Sequence, residues 1–280
     1  MAEVPLVTIQ NSLLQQLPRD LIKYIPKKWE KIGDILVIKL DKRLNKYKET
    51  IGKHYAEALN CKTVLNDTTG ISGVFREPNV EHIYGSKETE TIHIENRIKY
   101  KLDPQRVMFS SGNMDERIRI SKISNKKEII VDLFAGIGYF TLPIAVFSKP
   151  KKIFSCEINP ISYKFLCENV VLNNVTSIVE PLIGDNIETA PRNIADRVIL
   201  GFINDTYRYL PFALECLKEK TGVIHYHDVF PEELIPNKPL KIINKIAENN
   251  NIEANVLKYR SIKSYAPGIN HVVFDIKFGD

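Results

Sequence analysis

The sequence has few cysteines and no long hydrophobic run. Its four cysteines are scattered over 280 residues without a C-x-x-C pair, which argues against a disulfide framework and against a cysteine zinc site. No apolar stretch approaches the roughly 20 residues that span a bilayer, and the first residues lack the basic-then-apolar pattern of a secretion signal. These absences predict a cytoplasmic protein that does not engage a membrane.

The charged residues are unevenly distributed. Residues 1–125 hold 21 basic against 16 acidic side chains, whereas residues 126–280 hold 18 of each. The whole net charge of +5 therefore belongs to the N-terminal part. A basic module favours a polyanionic partner such as nucleic acid; ordinary solvated lysines are the alternative explanation.

Strand and helix patterns alternate in the C-terminal part. The predicted strands are Glu128–Leu133, Lys152–Glu157, Ile178–Ile183, Arg197–Phe202 and Gly222–Asp228. The predicted helices are Tyr139–Phe147, Pro160–Leu172, Tyr207–Lys218 and Glu232–Asn249. Repeated βα units predict a mostly parallel sheet. Two last strands, Ala254–Tyr259 and His271–Phe278, have no helix between them, so one of them must reverse. This α/β layout is that of class I S-adenosylmethionine-dependent methyltransferase-type (Rossmann-like) domains.

The N-terminal part has the pattern of a small α+β module. It contains one predicted helix, Leu44–Leu59, and a first predicted strand, Ile35–Leu40. Further short strands are predicted at Thr63–Asn66, His82–Tyr84, Glu90–Glu95, Ile98–Leu102 and Val107–Ser110. We therefore predict a nucleic-acid-contacting module over residues 1–110, a connector over 111–125 and a catalytic domain over 126–280.

Residues 132–141, Asp-Leu-Phe-Ala-Gly-Ile-Gly-Tyr-Phe-Thr, form a glycine turn between an apolar strand and an apolar helix. Glycines let a ligand approach the backbone, here beside Phe134, Ala135 and Gly136. A dinucleotide fingerprint needs a third glycine at position 141, which is Thr141. The turn therefore favours a nucleoside cofactor without pyrophosphate, S-adenosyl-L-methionine first of all. The alternative is a βα turn with packing glycines.

Polar residues follow the next two strands. Glu157, 25 residues after Asp132, can accept hydrogen bonds from both hydroxyls of a ribose. Asp185 and Asn186 end the third strand and can pair with an adenine edge. Each carboxylate alone could simply cap a helix. Three consecutive strand ends with suitable groups predict a site for an adenosine moiety.

The fourth strand end lacks the Asn/Asp-Pro-Pro-aromatic turn that methyltransferases acting on base nitrogens often carry. Residues 200–206 are Leu-Gly-Phe-Ile-Asn-Asp-Thr. Gly201 could leave room beside a sulfonium, and Phe202 could stack on a base. The alternative is a plain strand end with a core phenylalanine.

Further polar residues flank this region. Ser110 and Arg117 precede the sheet and could hold the methionine end of the cofactor, since a guanidinium pairs bidentately with a carboxylate. Arg119, two residues on, points elsewhere on a helix and is predicted to bind phosphate or an acid. The alternative for both arginines is that they are surface charges. His225 and His227 share one face of a strand. No third ligand is visible near them in the sequence, so we predict a packed or hydrogen-bonded pair and no metal.

Four motifs occur together in one order, residues 28–34, 73–78, 109–117 and 132–138. With them, residues 27–278 resemble the archaeal branch of proteins that modify the base at position 37 of phenylalanine tRNA. Two activities belong to this family, a guanine-37 N1-methyltransferase and a wybutosine-pathway 3-amino-3-carboxypropyltransferase. The Ser-Ser-Gly-Asn run at 110–113, the absent proline turn and Val223–His227 resemble the second branch.

The resemblance implies that Ser110, Arg117, Glu157, Asp185 and Asn186 contact S-adenosylmethionine. It also implies a tRNA partner bound at the anticodon loop, transfer to carbon 7 of 4-demethylwyosine, and the lack of the extra N-terminal domain that the methyltransferase often carries. We expect a monomer. Asp205 and His227 are weak candidates for the base that removes the proton. Methyl transfer to the same nucleotide and non-catalytic RNA binding are the alternatives.

Overall fold

The computed structural model describes residues 5–203 and 205–279. These residues divide into two compact units, one made of the residues up to 95 with 99–111, the other of residues 96–98 with those from 112 onward. In the described part of the chain, no helix has the length and apolar character to cross a membrane. Asn204, in the predicted turn after the fourth strand, lies outside the described residues.

The first unit is built on a four-stranded sheet with the order β1-β2-β3-β4. Its strands are β1 (Trp29–Ile32), β2 (Ile35–Ile38), β3 (Thr63–Ser72) and β4 (Glu77–Gly85). β2 and β3 are parallel, and the other two pairs are antiparallel. A two-stranded hairpin follows along the chain, with strands β5 (Thr91–Glu95) and β6 (Ile98–Leu102).

Two helices complete the core of this unit, α1 (Pro5–Leu13) and α2 (Lys48–Leu59). α2 buries Ile51 and Tyr55, which lie four residues apart on one helix face. The predicted single helix Leu44–Leu59 is divided, because a 3₁₀ turn occupies Lys42–Tyr47. The hydrophobic core of the first unit also contains Leu13 of α1 and Leu36 of β2.

The strand predicted at Val107–Ser110 is wrong. Val107 N donates to the carbonyl of Asp103 in a turn, and residues 107–110 belong to no strand. Val107 and Phe109 are nevertheless buried. The apolar alternation therefore reflects two buried side chains in a segment that is not itself a strand, which periodicity alone cannot distinguish from a strand paired in a sheet.

The second unit contains a seven-stranded sheet with the order β12-β13-β11-β10-β7-β8-β9. Its strands are β7 (Ile129–Asp132), β8 (Lys152–Glu157), β9 (Val179–Ile183), β10 (Arg197–Leu200), β11 (Gly222–Pro231), β12 (Ala254–Ala266) and β13 (Ile269–Phe278). The strands from β11 to β9 are parallel, and β13 is antiparallel to both neighbours. The predicted parallel sheet with one reversed strand is confirmed.

The described residues of this unit form six α-helices, α3 (Met114–Ile120), α4 (Thr141–Pro143), α5 (Pro160–Leu172), α6 (Asn186–Thr189), α7 (Leu210–Cys216) and α8 (Asn237–Asn249). α4 continues into a π-helical turn at Ile144–Ser148. α8 begins five residues later than predicted, because a 3₁₀ turn at Glu232–Leu234 precedes it.

The strand order reverses between β7 and β10. From β7 the chain moves outward to β8 and β9, and it then returns to add β10 and β11 on the other side. Ligands of open α/β sheets bind beyond the carboxyl ends of the strands at such a reversal. Asp132, Glu157 and Asp185, at or just after these ends, therefore lie along the expected edge.

Candidate functional site

After β7 the chain turns through two glycines in the left-handed region. Gly136 has φ +58° and Gly138 has φ +100°. A Cβ atom on Gly136 would lie 2.5 Å from the ring of Tyr139, and one on Gly138 would lie 2.7 Å from the side chain of Leu142. Both glycines are therefore required by the positive φ and by the packing of the turn.

Thr141 supplies a hydroxyl to the buried carboxylate of Asp132. Thr141 Oγ1 donates to Asp132 Oδ2 at 2.8 Å and lies 2.9 Å from Ser155 Oγ. All three side chains are buried, and this burial raises the pKa of Asp132 to about 6. Thr141 thus ties α4 to the strand end, where a dinucleotide motif would have its third glycine. The sequence pattern indicates that position 141 is important, but it does not predict that Thr141 contacts Ser155.

We expect Thr141→Val to lower the free energy of unfolding by about 1–3 kcal/mol, because a buried acceptor loses its donor while the side-chain shape is nearly kept. Chemical denaturation measures the change. Thr68→Val is the matched control, since Thr68 donates its hydroxyl to the carbonyl of Asn79 at an exposed position; its effect should stay within about 0.5 kcal/mol. Equal losses in the two variants would contradict the role of Thr141.

Glu157 connects the end of β8 to the glycine turn. Its Oε2 accepts from Gly136 N at 2.7 Å, and its Oε1 accepts from Asn159 N at 2.7 Å. Burial raises the pKa of this carboxyl group. An ionised carboxylate has about four lone-pair positions, so both oxygens keep capacity to accept from the hydroxyls of a ribose.

Asp185 and Asn186 follow β9 in different environments. Asp185 is exposed and caps α6, because its Oδ1 accepts from Ile187 N at 2.9 Å. Asn186 is buried, and its Nδ2 donates to the carbonyl of Leu133 at 2.8 Å. Among the described residues, Oδ1 of Asn186 has no hydrogen-bond partner. A buried amide oxygen without a donor is costly and is suited to accept from an amino group of a ligand.

Phe134 lies next to the glycine turn and packs with two other aromatic rings. Its ring stacks on Phe202 with the centroids 5.0 Å apart and meets Tyr209 edge-on at 4.9 Å. Ala135 is buried, and its N–H donates to the carbonyl of Cys156 at 2.9 Å. Stacking of Phe202 on a base stays a prediction, since this contact already occupies one face of its ring.

The space beside Gly201 is filled by Phe140. A Cβ atom at position 201 would lie 2.8 Å from the Phe140 ring. Glycine is therefore required here for packing of the ring, rather than to leave room beside a sulfonium as the sequence suggested.

Ser110 and Arg117 fall in different units. Ser110 is half-buried and belongs to the first unit, whereas Arg117 lies on α3 in the second. Arg117 is only 3% exposed. A guanidinium enclosed to this degree requires acceptors around it. The roles of Ser110 and Arg117 in holding a methionine chain stay predictions.

Arg119 joins α3 to β13 through two acidic residues. Its guanidinium binds Glu116 with contacts of 2.8 and 2.7 Å, and it binds Asp275 with contacts of 2.7 and 3.1 Å. Asp275 also lies 2.5 Å from His225 Nδ1. Burial opposes ionisation of Asp275, but His225 and Arg119 together hold its pKa well below the usual range. The prediction that Arg119 binds an acid is confirmed.

We expect Arg119→Met to lower the free energy of unfolding by about 3–5 kcal/mol, because two buried carboxylates lose their counter-charge. Arg192→Met is the matched control: it removes an exposed pair with Glu215 and should cost about 0–1 kcal/mol. Urea unfolding of both variants measures these losses. Comparable midpoints for the two variants would contradict the proposed role of Arg119 in stability.

The two proton-transfer candidates differ in exposure. His227 is fully buried, its Nδ1 lies 3.2 Å from His271 Nε2, and its ring stacks on Phe140. Burial holds the pKa of His227 well below its usual value, so the ring is neutral at pH 7. Asp205 is exposed and pairs with Arg208 at 3.2 Å. Within residues 5–203 and 205–279, no group of three metal-ligating side chains forms a site.

Two family models match the chain. The TRM5/TYW2 methyltransferase domain matches residues 91–256, and the TYW2 N-terminal domain matches residues 9–89. A Pyrococcus horikoshii protein named tRNA(Phe) (4-demethylwyosine(37)-C(7)) aminocarboxypropyltransferase is 42% identical over 96% of this chain and 95% of its own. The Pyrococcus abyssi tRNA (guanine(37)-N(1))-methyltransferase Trm5b is 34% identical over 93% of this chain and 78% of its own.

Solved structures of similar proteins match nearly the whole chain. The crystal structure of Pyrococcus horikoshii TYW2 in complex with MeSAdo has a TM-score of 0.87 and 39% identity, and the match covers 98% of this chain and 99% of that one. Methanocaldococcus jannaschii TYW2 in complex with AdoMet has a TM-score of 0.74 and 38% identity, with 90% and 99% covered.

Proposed function

The chain belongs to the TRM5/TYW2 family, and on this basis we propose that it is a tRNA aminocarboxypropyltransferase. It transfers the 3-amino-3-carboxypropyl group of S-adenosyl-L-methionine to carbon 7 of 4-demethylwyosine at position 37 of tRNA(Phe), a step in the synthesis of wyosine derivatives. The observation that carries the proposal is the match to the Pyrococcus aminocarboxypropyltransferase, which covers both chains almost completely and exceeds the identity to the methyltransferase relative.

The carboxyl edge of the sheet suits the nucleoside end of S-adenosylmethionine. Glu157 would accept from the ribose hydroxyls, while Asp185 and Asn186 would bind the adenine. The Oδ1 atom of Asn186, which has no partner among the described residues, is an acceptor for the adenine amino group. Gly136 supports the fit, because its N–H donates to the carboxylate of Glu157 and so orients it. Phe134 and Ala135, in the same turn, line this part of the site.

Arg117 and Ser110 would decide which group is transferred. Three carbons are bonded to the sulfonium, and the one that faces the substrate base is the one attacked. Arg117 would pair with the carboxylate of the methionine chain, and Ser110 would hydrogen-bond to the same end. Holding the chain toward the tRNA brings its γ-carbon, rather than the methyl group, into line with carbon 7.

The chemical step needs positioning and the removal of one proton. S-adenosylmethionine supplies the electrophilic γ-carbon and a sulfur leaving group that departs as methylthioadenosine. A bond forms from carbon 7 to the γ-carbon, the electron pair of the broken carbon–sulfur bond goes to sulfur, and carbon 7 loses its proton. Asp205 is exposed and could accept this proton directly, whereas enclosed His227 could do so only through a neighbouring group. Positioning supplies most of the rate enhancement.

We assign the RNA contacts to residues 1–110 and S-adenosylmethionine binding to residues 126–280, with 111–125 as the connector. The basic excess of the first 125 residues supports contact with the anticodon loop of the tRNA. The base at position 37 would leave the anticodon stack to enter the site. The enzyme acts as a monomer in the cytoplasm, where its tRNA substrate is found.

The identity of the small-molecule product tests the proposal. With tRNA that carries 4-demethylwyosine, the protein should convert S-adenosylmethionine to methylthioadenosine, which liquid chromatography separates from S-adenosylhomocysteine. S-adenosylhomocysteine would instead indicate methyl transfer. Absence of any S-adenosylmethionine binding by calorimetry would indicate a non-catalytic RNA-binding protein.

A further inference from the structure

The outer strands of the second unit extend past the carboxyl edge of the sheet. Leu200, the last residue of β10, is paired with Tyr226 of β11. β11 continues for five more residues to Pro231, which is paired with Ile269 at the start of β13. At about 3.3 Å per residue, this extension reaches roughly 16 Å beyond β10. We call the part of β11, β12 and β13 beyond Tyr226 the outer wall; it borders the edge at which ligands of such sheets bind.

The edge strand of the wall is basic. Over residues 254–266, β12 contains Lys258, Arg260 and Lys263 and no acidic residue. Arg260 and Lys263 lie in the outer wall, and Lys258 lies just before it. Among the residues that the structure describes, β12 pairs with one strand, β13, so it is an edge strand of the sheet. A strand with three cations and no acid attracts a polyanion.

The three cations lie on one face of the sheet. Their partners on β13 are Asp275, Val273 and His271, which alternate along the strand. Alternate residues of a strand point to one face, and directly paired residues share that face. Since Asp275 binds Arg119 of α3, this is the face on which α3 packs.

Lys263 and Arg260 lie beside the segment that leads into α3. A Cβ atom on Gly112 would lie 3.4 Å from Lys263 Nζ and 3.5 Å from its Cδ. The Arg260 guanidinium lies 3.8 Å from Glu116, the residue before Arg117. A lysine can pack its stem on protein while its ammonium group reaches water or a ligand. Within the second unit, the cations thus lie beside Gly112 and Glu116, the second of which directly precedes Arg117.

We propose that Lys263, with Arg260 beside it, binds the phosphodiester backbone of the substrate RNA next to the nucleotide that is modified. The inference rests on the proposed function and adds a contact surface in the catalytic unit to that of the basic N-terminal module. A base that leaves its stack costs stacking energy, and phosphate contacts on the wall would hold the extruded nucleotide beside the γ-carbon of the donor. Lys258, on the same face, adds to the positive potential.

The test is the salt dependence of tRNA binding. At about 0.15 M salt, Lys263→Gln should weaken tRNA binding roughly 3- to 10-fold and reduce the slope of log K against log salt by about 0.7–0.9, the value for one phosphate contact. Lys263→Arg should keep most of the slope. Calorimetric affinity for S-adenosylmethionine should not change, which shows that the fold is intact.

Lys151→Gln is the matched control. Lys151 is exposed immediately before β8, at the amino ends of the parallel strands. Its replacement removes the same charge as Lys263→Gln. Equal slopes for Lys263→Gln and Lys151→Gln would overturn the inference. Failure of the proposed function would give a different result. Wild-type protein would then bind tRNA without releasing methylthioadenosine, and the salt slopes of Lys263→Gln and Lys151→Gln could still be compared.

Discussion

Replacing Arg117 by methionine is expected to lower kcat/KM for aminocarboxypropyl transfer by roughly 100- to 1000-fold, because the donor's carboxylate loses a bidentate partner and the γ-carbon loses its alignment. Methionine keeps the length and much of the bulk of the buried side chain. The measurement is steady-state transfer from carboxyl-labelled S-adenosylmethionine to tRNA bearing 4-demethylwyosine. Arg117→Lys, which keeps the charge without the planar fork, should retain intermediate activity.

Arg119→Met separates this effect from a general disturbance of α3. Arg119 lies two residues further along the same helix, where it binds Glu116 and Asp275. We expect this variant to lose stability, but per folded molecule it should lose less activity than Arg117→Met. Equal losses per folded molecule would remove the special role of Arg117.

Replacing Glu157 by alanine is expected to weaken S-adenosylmethionine binding by roughly 100-fold, since hydrogen bonds to a charged group contribute about 1.5–3 kcal/mol each. The variant also removes the acceptor for Gly136 N, which shapes the glycine turn. Isothermal calorimetry without tRNA measures this affinity apart from catalysis.

Two variants sharpen the interpretation of Glu157. Glu157→Gln keeps one carboxamide oxygen as an acceptor and should lose less affinity than alanine. Glu188→Ala is the matched control, because Glu188 is an exposed acid on α6 close in sequence to Asp185. A Glu157→Ala protein that binds the donor as tightly as Glu188→Ala would exclude Glu157 from the ribose site.

The sheet and its edge could be predicted because they depend on local patterns. Alternating βα units give the parallel order, and the short turn at Pro267 and Gly268 requires the reversed strand. Carboxyl ends of parallel strands meet at one edge, so Asp132 and Glu157 could be placed there without coordinates.

The remaining contacts depend on residues far apart in the chain. Arg119 and Asp275 are 156 residues apart, and no periodicity indicates that they meet. Phe140 fills the space beside Gly201, a residue far away from it in the sequence. Val107 follows a strand-like pattern although its segment belongs to no strand. In each case tertiary packing, rather than local propensity, determines the outcome.

Donor labelled in two positions tests the proposed reaction most directly. S-adenosylmethionine carrying its label in either the methyl or the carboxyl carbon is incubated with tRNA(Phe) that has guanosine or 4-demethylwyosine at position 37. We expect carboxyl label to enter only the tRNA with the tricyclic base and methyl label to enter neither. Methyl label in either tRNA would contradict aminocarboxypropyl transfer and would identify the protein as a methyltransferase.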